Sequence, residues 1–449
     1  MKELLYSFKS TVKHYVNGGM FLILATILAL VAANSPLSES YFSWWNNYVS
    51  INIGDLNLIG HGEFPLTVLQ FINDALMAVF FFSVGLEIKK EMLVGELSSP
   101  KKAMLPIIAA VGGMILPVGM FLLFSDSDTV ARGAAIPMAT DIAFSLGVLG
   151  LLGTRVPISL KIFLTALAVV DDIGGITVIA LFYSGHLAVE YLLYSLVLFA
   201  ILIIGAQKGI HSRAFYIVIG LVIWFLFLNS GIHPTIAGVL VAFCVPAHPK
   251  LDTQKYINRI KENISQFPTK LEHVRGGVVI LSKDQIDLLK SVESASDNVV
   301  SPLQRLEDIL HPLVVYFIIP LFAFANAGID FSQIEISKGL SGAALPVLAG
   351  LLIGKFVGIF SFSYLSIKTK LVSMPTGVNF WAIAGVALLG GIGFTVSIFI
   401  ANLSYPTDTA AGVDLLNQAK FGVLAGSFIA GVGGYYLTKY ALRNHPEKS

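Results

Sequence analysis

Long apolar runs dominate the pattern of hydrophobic and polar positions along this chain. A bilayer core of about 30 Å needs about 20 apolar residues in a helix, and about twelve runs come close to that length. They cover residues 17–34, 64–88, 103–124, 134–152, 158–184, 188–206, 213–230, 232–247, 309–328, 340–366, 378–403 and 417–438. The least secure boundary separates the seventh run from the eighth, where only a short turn-like segment intervenes. The pattern predicts an all-α polytopic membrane protein with about twelve transmembrane helices.

The distribution of Lys and Arg orients these predicted helices. The chain holds 29 Lys and Arg residues, and all but four of them fall on one side of the predicted membrane. Arg132, Lys338 and Lys420 fall in the opposite loops, and Lys355 lies inside a run. Because cytoplasmic loops carry the excess of positive charge, we expect both termini to be cytoplasmic. The first run also has features of a cleavable signal peptide, and its removal would leave the remaining topology unchanged.

Two extramembrane segments stand out. Residues 35–63 form an outer, periplasmic loop without Lys or Arg, and the alternation in 50–53 and 56–59 around Gly54-Asp55 predicts a small β-hairpin. An isolated hairpin is marginal in water, so we expect it to pair, for example with a second copy; an unstructured loop is the alternative. Residues 248–308 form an extended cytoplasmic loop, by default a solvated linker, in which 253–264 and 283–292 are candidate amphipathic helices. The whole chain, 1–449, is predicted to be a single integral membrane domain.

Composition agrees with a membrane protein and excludes several other classes. Hydrophobic residues make up 55% of the chain and charged residues 13%, against about 25% charged residues in soluble domains. A soluble fold of this size cannot bury so many apolar side chains. The net charge of +1 argues against a nucleic-acid partner. The single cysteine, Cys244, excludes an intramolecular disulfide.

Charged residues near the middle of predicted spans are the strongest functional signal, because each costs about 2.5–3.5 kcal/mol to insert. They are Asp74, Asp141, Asp171, Asp172 and Lys355. The adjacent pair Asp171-Asp172 would cost roughly 5–7 kcal/mol if ionised. Neighbours on a helix point about 100° apart, so one carboxylate can line a cavity while the other meets a partner. Such a pair suits a proton carrier; a neutral, hydrogen-bonded structural pair is the alternative.

Two spans contain residues that interrupt helices. In the fourth span, Pro137 precedes Thr140 and Asp141, which predicts an unwound segment whose carbonyls can coordinate a cation. A simple proline kink is the alternative. In the eleventh span, three glycines within residues 390–393 predict a second break, with close helix packing as the alternative. The two spans lie seven apart, so they run in opposite directions. Spans 3–5 and 10–12 are therefore predicted to be inverted repeats with two discontinuous crossing helices.

Crossing broken helices bring like dipole ends together, and these ends need compensating charge. We expect Asp141 to offset the positive ends, while Lys355 either offsets the negative ends or pairs with Asp171 or Asp172. Carboxylate, hydroxyl and carbonyl oxygens suit Na⁺, Li⁺ or H⁺ rather than zinc or copper. The phosphate-binding motif G-x-x-x-x-G-K-[ST] is absent from the sequence, so ATP is not expected to drive the protein. No cofactor and no enzymatic activity are predicted.

Six sequence motifs resemble a known family. They span residues 73–81, 139–144, 170–174, 320–328, 352–355 and 391–401. In these segments the chain is similar to the NhaA-type sodium/proton antiporters of bacterial inner membranes, and the resemblance runs from about residue 10 to residue 440. It implies a pH-regulated exchanger of Na⁺ or Li⁺ for protons that maintains sodium and pH homeostasis. It also implies a homodimer whose subunits meet through the outer hairpin.

The resemblance further implies roles for individual residues. Asp172 would be the main ion ligand, and Asp171 would pair with Lys355 and exchange protons, beside the unwound Thr140 and Asp141. Asp74 would line a cytoplasmic funnel. The residues linked to pH regulation would be Glu87, Glu91, Glu307, His311 and His233. The chain departs from the best-known member in its longer loop 248–308 and in Asp308, which replaces a histidine.

The expected mechanism is alternating access in which Na⁺ and protons compete for the same carboxylates. If two protons exchange for each Na⁺, the cycle is electrogenic. A sodium-coupled solute symporter is the alternative within the class of secondary transporters, and it would need a larger pocket for an organic solute. An intramembrane aspartyl protease is the alternative from another class. It requires two aspartates on separate helices, but the sequence lacks a Gly-x-Gly-Asp motif, and Lys355 would disturb a shared-proton pair.

Overall fold

The computed structural model describes residues 18–53, 56–57, 60–61, 64–183, 187–249, 253–267, 274–275, 278–279, 281–331 and 342–443. Most of these residues are helical. Numbered in chain order, the main helical segments are α1 Gly18–Ala33, α2 Ser38–Trp45, α3 Val68–Leu93, α4 Pro100–Phe124, α5 Asp128–Met138, α6 Ile142–Gly150, α7 Ile158–Phe182, α8 Val189–Gln207, α9 Arg213–Leu228, α10 Pro234–Cys244, α11 Thr253–Ser265, α12 Lys283–Val299, α13 Pro302–Asn326, α14 Ala344–Lys368, α15 Phe380–Leu389, α16 Phe394–Ser404 and α17 Ala410–Ala441. The strands are β1 Tyr48–Val49, β2 Asn52–Ile53, β3 Leu56–Asn57, β4 Gly60–His61, β5 Phe64–Thr67, β6 Val274–Arg275 and β7 Val278–Val279.

The helices make the chain a multi-pass, all-α membrane protein. Within the described residues, seven helices are long and apolar enough to cross a membrane: α3, α4, α7, α8, α13, α14 and α17. Three bent pairs also qualify, namely α1 with α2, α5 with α6, and α15 with α16, and the apolar helices α9 and α10 are shorter. Each of the twelve predicted apolar runs overlaps at least one of these helices. At the boundary that was least secure, residues 229–233 separate α9 from α10.

The two predicted interruptions are present. Helices α5 and α6 meet at an angle of 49° across residues 139–141, and α15 and α16 meet at 44° across residues 390–393. Both α15 and α16 are buried along almost their whole length, and Ile398, Phe399 and Ile400 are fully inaccessible to solvent. Irregular backbone is tolerated at membrane depth only where protein or a water-filled cavity surrounds it. The interior position of the two breaks meets this requirement.

Three long helices contain a π-helical turn. These turns are Ile72–Leu76 in α3, Val314–Ile318 in α13 and Gly350–Gly354 in α14. A π-turn inserts one residue into the helical ladder and often marks a functional position. The turn in α3 carries Asp74, and the turn in α14 ends immediately before Lys355. Two of the predicted intramembrane charges therefore lie at helical irregularities that the sequence analysis did not predict.

Glycines allow α4 and α14 to pack closely. A Cβ atom added at Gly358 would lie 2.2 Å from the carbonyl oxygen of Gly112, a position that no side chain could occupy without moving the backbone. Small residues that let helix backbones approach are typical of membrane helix interfaces. This contact holds the two long helices together on the side where Lys355 projects into the protein.

The outer segment forms two small antiparallel sheets. Strand β2 pairs with β3 in the register Asn52↔Asn57, around residues 54–55, which lie outside the described residues. A second sheet has the strand order β1-β5-β4. Thr67, the last residue of β5, also begins α3, because its side chain accepts from the backbone of Gln70 while the Gln70 side chain accepts from Thr67. This capping box joins the sheet rigidly to a long helix.

Within segment 248–308, the described residues form helices at the two candidate amphipathic stretches of the sequence analysis. Helices α11 and α12 cover both candidate amphipathic stretches, and Asn263 Nδ2 donates to Ser291 Oγ across them at 3.0 Å. The backbone N–H of Leu303 donates to Pro246 O at 3.3 Å. The two ends of the segment therefore lie next to each other. The two candidate helices are therefore confirmed, whereas their contact was not predicted, because amphipathic periodicity alone does not say whether two short helices will pack together.

The structure also corrects the position of Lys420. The sequence analysis placed it in an outer loop, since it lies near the start of the last apolar run. In the structure α17 begins at Ala410 and extends through Ala441, so Lys420 lies three turns inside a helix and is only 7% exposed. Long amphipathic side chains can be packed along their methylene stems, and the polar residues that precede the run hid the true start of the helix.

Candidate ion-binding site

The two helix breaks contact each other through direct hydrogen bonds. The backbone N–H of Asp141 donates to Ile392 O at 2.7 Å, and Ser145 Oγ donates to Leu389 O at 3.0 Å. These bonds satisfy backbone groups that a continuous helix would have satisfied internally, and groups left unpaired in the membrane interior are costly. The breaks in α5/α6 and α15/α16 are therefore joined into one polar junction at the centre of the protein.

Asp141 caps two helices at this junction. Its Oδ1 accepts from the backbone N–H of Phe144 at 3.0 Å, at the start of α6. Its Oδ2 accepts from the backbone N–H of Thr395 at 3.2 Å and from the Thr395 hydroxyl at 2.6 Å, at the start of α16. Helix N-termini carry partial positive charge and favour an anionic group. One buried carboxylate thus compensates both positive ends, which is the geometry that the sequence analysis expected for Asp141.

Lys355 lies beside the junction and pairs with Asp171. Both side chains are fully buried, and Lys355 Nζ donates to Asp171 Oδ2 and, at 3.1 Å, to Thr140 Oγ1. The sequence left the partner of Lys355 open between Asp171, Asp172 and the negative helix ends, and the structure selects Asp171. The Thr140 hydroxyl lies 2.8 Å from both Asp171 Oδ2 and Gly390 O. It carries one hydrogen, so it can donate to only one of these acceptors at a time.

Asp172 lies on the next position of α7 and has a different environment. Its side chain is buried, with 4% of the residue exposed. Among the described residues, Oδ1 of Asp172 and Oδ1 of Asp171 are both buried without a hydrogen-bond partner. Unpartnered buried carboxylate oxygens are unusual in folded proteins and require an explanation. They are the groups that a transported cation or proton would satisfy.

The donor set at these oxygens fits a weakly held alkali ion. The described residues contain no group of three or more His, Cys, Asp or Glu side chains arranged to hold a metal ion. An ion at Asp171 and Asp172 would therefore complete its shell with hydroxyl, carbonyl or water oxygens. Hard oxygen ligands of this kind do not favour zinc or copper. The donor set therefore suits a hard cation or a proton.

Asp74 and His233 lie together at one end of the protein, which corrects one prediction. His233 Nε2 lies 3.6 Å from Asp74 Oδ1, and both residues line a cavity of about 480 Å³ with Tyr183 and Tyr191. Asp74 is near the first turns of α3, whereas Glu87 is near its other end. In the predicted topology His233 lies at the start of the eighth run, on the outer side, whereas Asp74 was expected in a cytoplasmic funnel. Their contact is incompatible with this combination. The assignment of Asp74 to a cytoplasmic funnel was wrong for the predicted topology, because motif resemblance alone did not establish at which end of the helix it opens.

Most of the predicted regulatory residues gather at the other end of α3. Lys90 Nζ lies 2.7 Å from Glu307 Oε1, and Glu91 Oε2 accepts from the backbone N–H of Glu96 at 2.9 Å. Glu87 is close enough to interact electrostatically with Glu307, Glu91 and Lys90. We call Glu87, Lys90, Glu91 and Glu307 the acidic cluster. His311 is exposed one turn beyond Glu307 on α13.

Sequence reasoning missed several residues that support the site or the helices around it. Thr395 and Ser145 hold the junction, and Lys89 Nζ donates to Phe243 O at 2.7 Å and Val245 O at 2.6 Å, which caps the end of α10. An amide network also joins three helices. In it, Asn326 Nδ2 donates to Asn73 Oδ1 at 2.9 Å and Asn402 Nδ2 donates to Asn326 Oδ1 at 2.8 Å. The available signal was the presence of hydroxyl and amide side chains inside apolar runs, where such groups bond across helices.

The fold and the junction together define a class of protein. Discontinuous membrane helices that meet near buried carboxylates are typical of secondary ion transporters. Comparison with known proteins narrows the class, because the family model described as Na+/H+ antiporter 1 matches residues 9–438. The chain belongs to this family.

Curated relatives agree with the family match over nearly the full chain. The chain is 53% identical over 441 residues to the Na(+)/H(+) antiporter NhaA of Phocaeicola vulgatus, which covers 98% of this chain and 97% of the relative. It is 52% identical to the protein of the same name from Parabacteroides distasonis, with 95% and 94% covered. It is 43% identical to that of Oleidesulfovibrio alaskensis, with 100% and 97% covered.

Proposed function

We propose that the protein is a Na⁺/H⁺ antiporter that exports sodium in exchange for external protons by alternating access. The family match and the similarity to proteins named Na(+)/H(+) antiporter NhaA support this activity. Neither the family nor these relatives support the alternative of a sodium-coupled solute symporter. The observation that carries the proposal is the buried pair of unpartnered oxygens on Asp171 and Asp172, which lie beside two broken helices.

The balance of buried charge explains why Na⁺ and protons compete. Asp141 receives compensation from two helix N-termini, and Asp171 is neutralised by Lys355. Asp172 is also buried, but no cationic side chain among the described residues forms an ion pair with it. An uncompensated charge in the membrane interior is costly, so Asp172 binds either Na⁺ (or Li⁺) or a proton. Both ligands satisfy the same oxygens, and therefore they exclude each other.

The cycle is electrogenic if a second proton moves with the first. That proton is carried either by Asp171, once its pairing with Lys355 is broken, or by Lys355 itself. Two protons in exchange for one Na⁺ move one net charge, which is worth about 2.3 kcal/mol per 100 mV of membrane potential. A negative potential inside the cell would then drive sodium export at the same time as proton entry.

The proposed architecture has twelve spans with inverted repeats. Helices α4 and α7 flank the broken α5/α6 pair, and α14 and α17 flank the broken α15/α16 pair, so each triplet has the order long, broken, long. We propose a single transporter domain in a bacterial inner membrane with both termini cytoplasmic, as the distribution of Lys and Arg predicts. In this orientation the cavity lined by Asp74 and His233 opens toward the periplasm and serves as the outer approach to Asp172.

Two finer elements belong to the proposal. The acidic cluster, with His311 nearby, regulates transport by pH, because its charges lie close together at the cytoplasmic end of α3, the helix that carries Asp74. The outer sheets form a homodimer contact, because short strands with free edges are completed by a second copy. Packing of α11 on α12 supports a folded cytoplasmic subdomain beneath the membrane part.

Transport in inside-out vesicles tests the function. A pH gradient is formed by respiration, and NaCl, LiCl or KCl is added over a series of neutral and alkaline pH values. Collapse of the gradient by Na⁺ and Li⁺ is expected in the wild type and not in Asp172→Asn, with Asp408→Asn as the control because Asp408 is an exposed residue outside the site. Retained exchange in Asp172→Asn would overturn the ligand assignment. Absence of a response to any cation in the wild type would overturn the antiporter proposal.

A further inference from the structure

An apolar cleft lies between α1, α6 and α17, apart from the ion site. It has a volume of about 570 Å³, and most of the side chains that line it are hydrocarbon or aromatic. They include Ile27, Phe144, Val148, Phe394, Phe428 and Tyr436. The transport mechanism described above assigns no role to this space.

The lining residues of the cleft on α17 extend from Leu424 to Tyr436, which is about 18 Å of helix. Ile27 is 51% exposed, Phe428 69% and Tyr436 63%, so no helix among the described residues covers the rim. At its inner end the cleft reaches Phe144 and Phe394, whose rings lie 5.7 Å apart directly after the two helix breaks. At its other end it reaches Tyr435 and Tyr436, near the C-terminal end of α17.

A positive charge lies at the end of the cleft that is predicted to be cytoplasmic. Lys439 is exposed, and its Nζ lies 5.6 Å from the centroid of the Tyr435 ring. Arg443 follows one turn later and is also exposed. The cytoplasmic leaflet carries anionic lipids, which attract basic residues close to the membrane surface. Aromatic residues with a polar group occupy the same interfacial depth.

We propose that an anionic phospholipid of the cytoplasmic leaflet binds here, with one acyl chain in the cleft and its phosphate at Lys439. A lining of about 18 Å along α17 is comparable with half the thickness of a bilayer core of about 30 Å, which is the span of one acyl chain. The apolar lining selects the chain, and Lys439 selects the negative headgroup.

The position of the lipid links it to the junction of the broken helices. The backbone N–H of Phe144 donates to Asp141, and the backbone N–H of Phe394 donates to Ser427 Oγ at 3.2 Å. An acyl chain packed against both rings therefore contacts the first residue of α16 and the first turn of α6.

A photoreactive phosphatidylglycerol with a diazirine near the end of one acyl chain tests the proposal. The purified full-length protein is placed in phosphatidylcholine vesicles that contain the probe, and labelled peptides are identified by mass spectrometry. We expect labelling of residues 142–151 and 424–436, several-fold above that given by the phosphatidylcholine form of the probe. Unlabelled phosphatidylglycerol should reduce it, whereas further phosphatidylcholine should not.

Matched variants separate this site from general lipid contact. A Cβ atom at Gly431 would lie 3.8 Å from Phe144 and 3.9 Å from Val148, so Gly431→Phe fills the cleft without a backbone clash. Gly433→Phe is the control, because a Cβ atom there meets only Leu388, at 3.6 Å. Labelling should fall to background in Gly431→Phe and persist in Gly433→Phe, and Lys439→Gln should abolish the preference for phosphatidylglycerol. Equal labelling by both headgroups, or labelling unchanged by Gly431→Phe, would overturn the proposal. The competition in wild-type protein decides the question even if Gly431→Phe does not fold.

Discussion

The buried pair of Lys355 and Asp171 makes a prediction that separates electrostatics from simple packing. In Lys355→Met the apolar volume of the side chain is largely kept, but Asp171 loses its counter-charge. Its Oδ1 atom already lacks a partner, and only Thr140 would still donate to Oδ2. Removal of one partner from a buried ion pair costs about 3–5 kcal/mol. We expect a loss of folding free energy in this range for Lys355→Met.

The double variant should recover much of that loss. In Lys355→Met with Asp171→Leu, neither charge remains in the membrane interior, and replacement of both members of a buried pair by apolar residues is often neutral or stabilising. Residues in contact commonly show coupling energies of about 0.5–3 kcal/mol. We expect the coupling to lie at the upper end, because both side chains are fully buried.

The measurement is a comparison of unfolding free energies in detergent micelles with increasing amounts of denaturing detergent. Wild type, both single variants and the double variant complete the cycle. Lys368→Met serves as the control, because Lys368 is exposed at the end of the same helix, and surface changes usually alter stability by less than about 0.5 kcal/mol. Additive losses in the double variant, or a loss below about 1 kcal/mol in Lys355→Met, would refute the reasoning.

Three further predictions concern the scaffold of the site and use the same unfolding assay. Asp141→Ala removes the cap from two helices and should cost about 0.5–2 kcal/mol for each, whereas Asp141→Asn retains an acceptor and should cost less; equal losses would contradict the capping role. Asn326→Leu should cost about 1–3 kcal/mol because two asparagine amides lose their shared partner, and an unchanged stability would show that the network is redundant. Gly358→Ala should cost about 1–3 kcal/mol because its Cβ meets a carbonyl oxygen, while Gly119→Ala, with no atom within 4 Å, should be neutral or gain about 0.5–1 kcal/mol.

The fold was predictable wherever the bilayer imposes a simple rule. A membrane helix must be apolar over about 20 residues, and so each apolar run corresponds to a described helix or bent pair. The breaks were predictable because proline removes a donor and glycines lack a side chain to support the helix. The choice of Asp171 and Asp172 as candidate site residues followed from the cost of charge in hydrocarbon. Each of these inferences uses information that lies within one segment.

Features that depend on contacts between distant segments were not predictable in the same way. The bond between Asp141 and Thr395 joins residues 254 positions apart, and nothing in either segment alone specifies it. The choice of Asp171 over Asp172 as the partner of Lys355 depends on how α7 is rotated against α14. The end of α3 at which the cavity beside Asp74 lies depends on where α9 and α10 contact α3. Packing of α11 on α12 likewise arises from two short helices that are each marginal alone.

The hydrogen bonds around the three central aspartates imply a division of roles among them. Asp141 has donors from Phe144 and Thr395, and Asp171 has Lys355 and Thr140, so both carboxylates are compensated by the protein itself. The Oδ1 atoms of Asp171 and Asp172 are both buried without a donor, but among the described residues Asp172 also lacks an ion-pair partner such as Lys355. The less the protein compensates a buried carboxylate, the more its stability depends on a bound cation or proton. We therefore expect Na⁺ and protons to exchange mainly at Asp172. Asp171 should take part only when its ion pair with Lys355 is broken. Asp141 should keep its hydrogen bonds throughout the cycle and cap both broken helices.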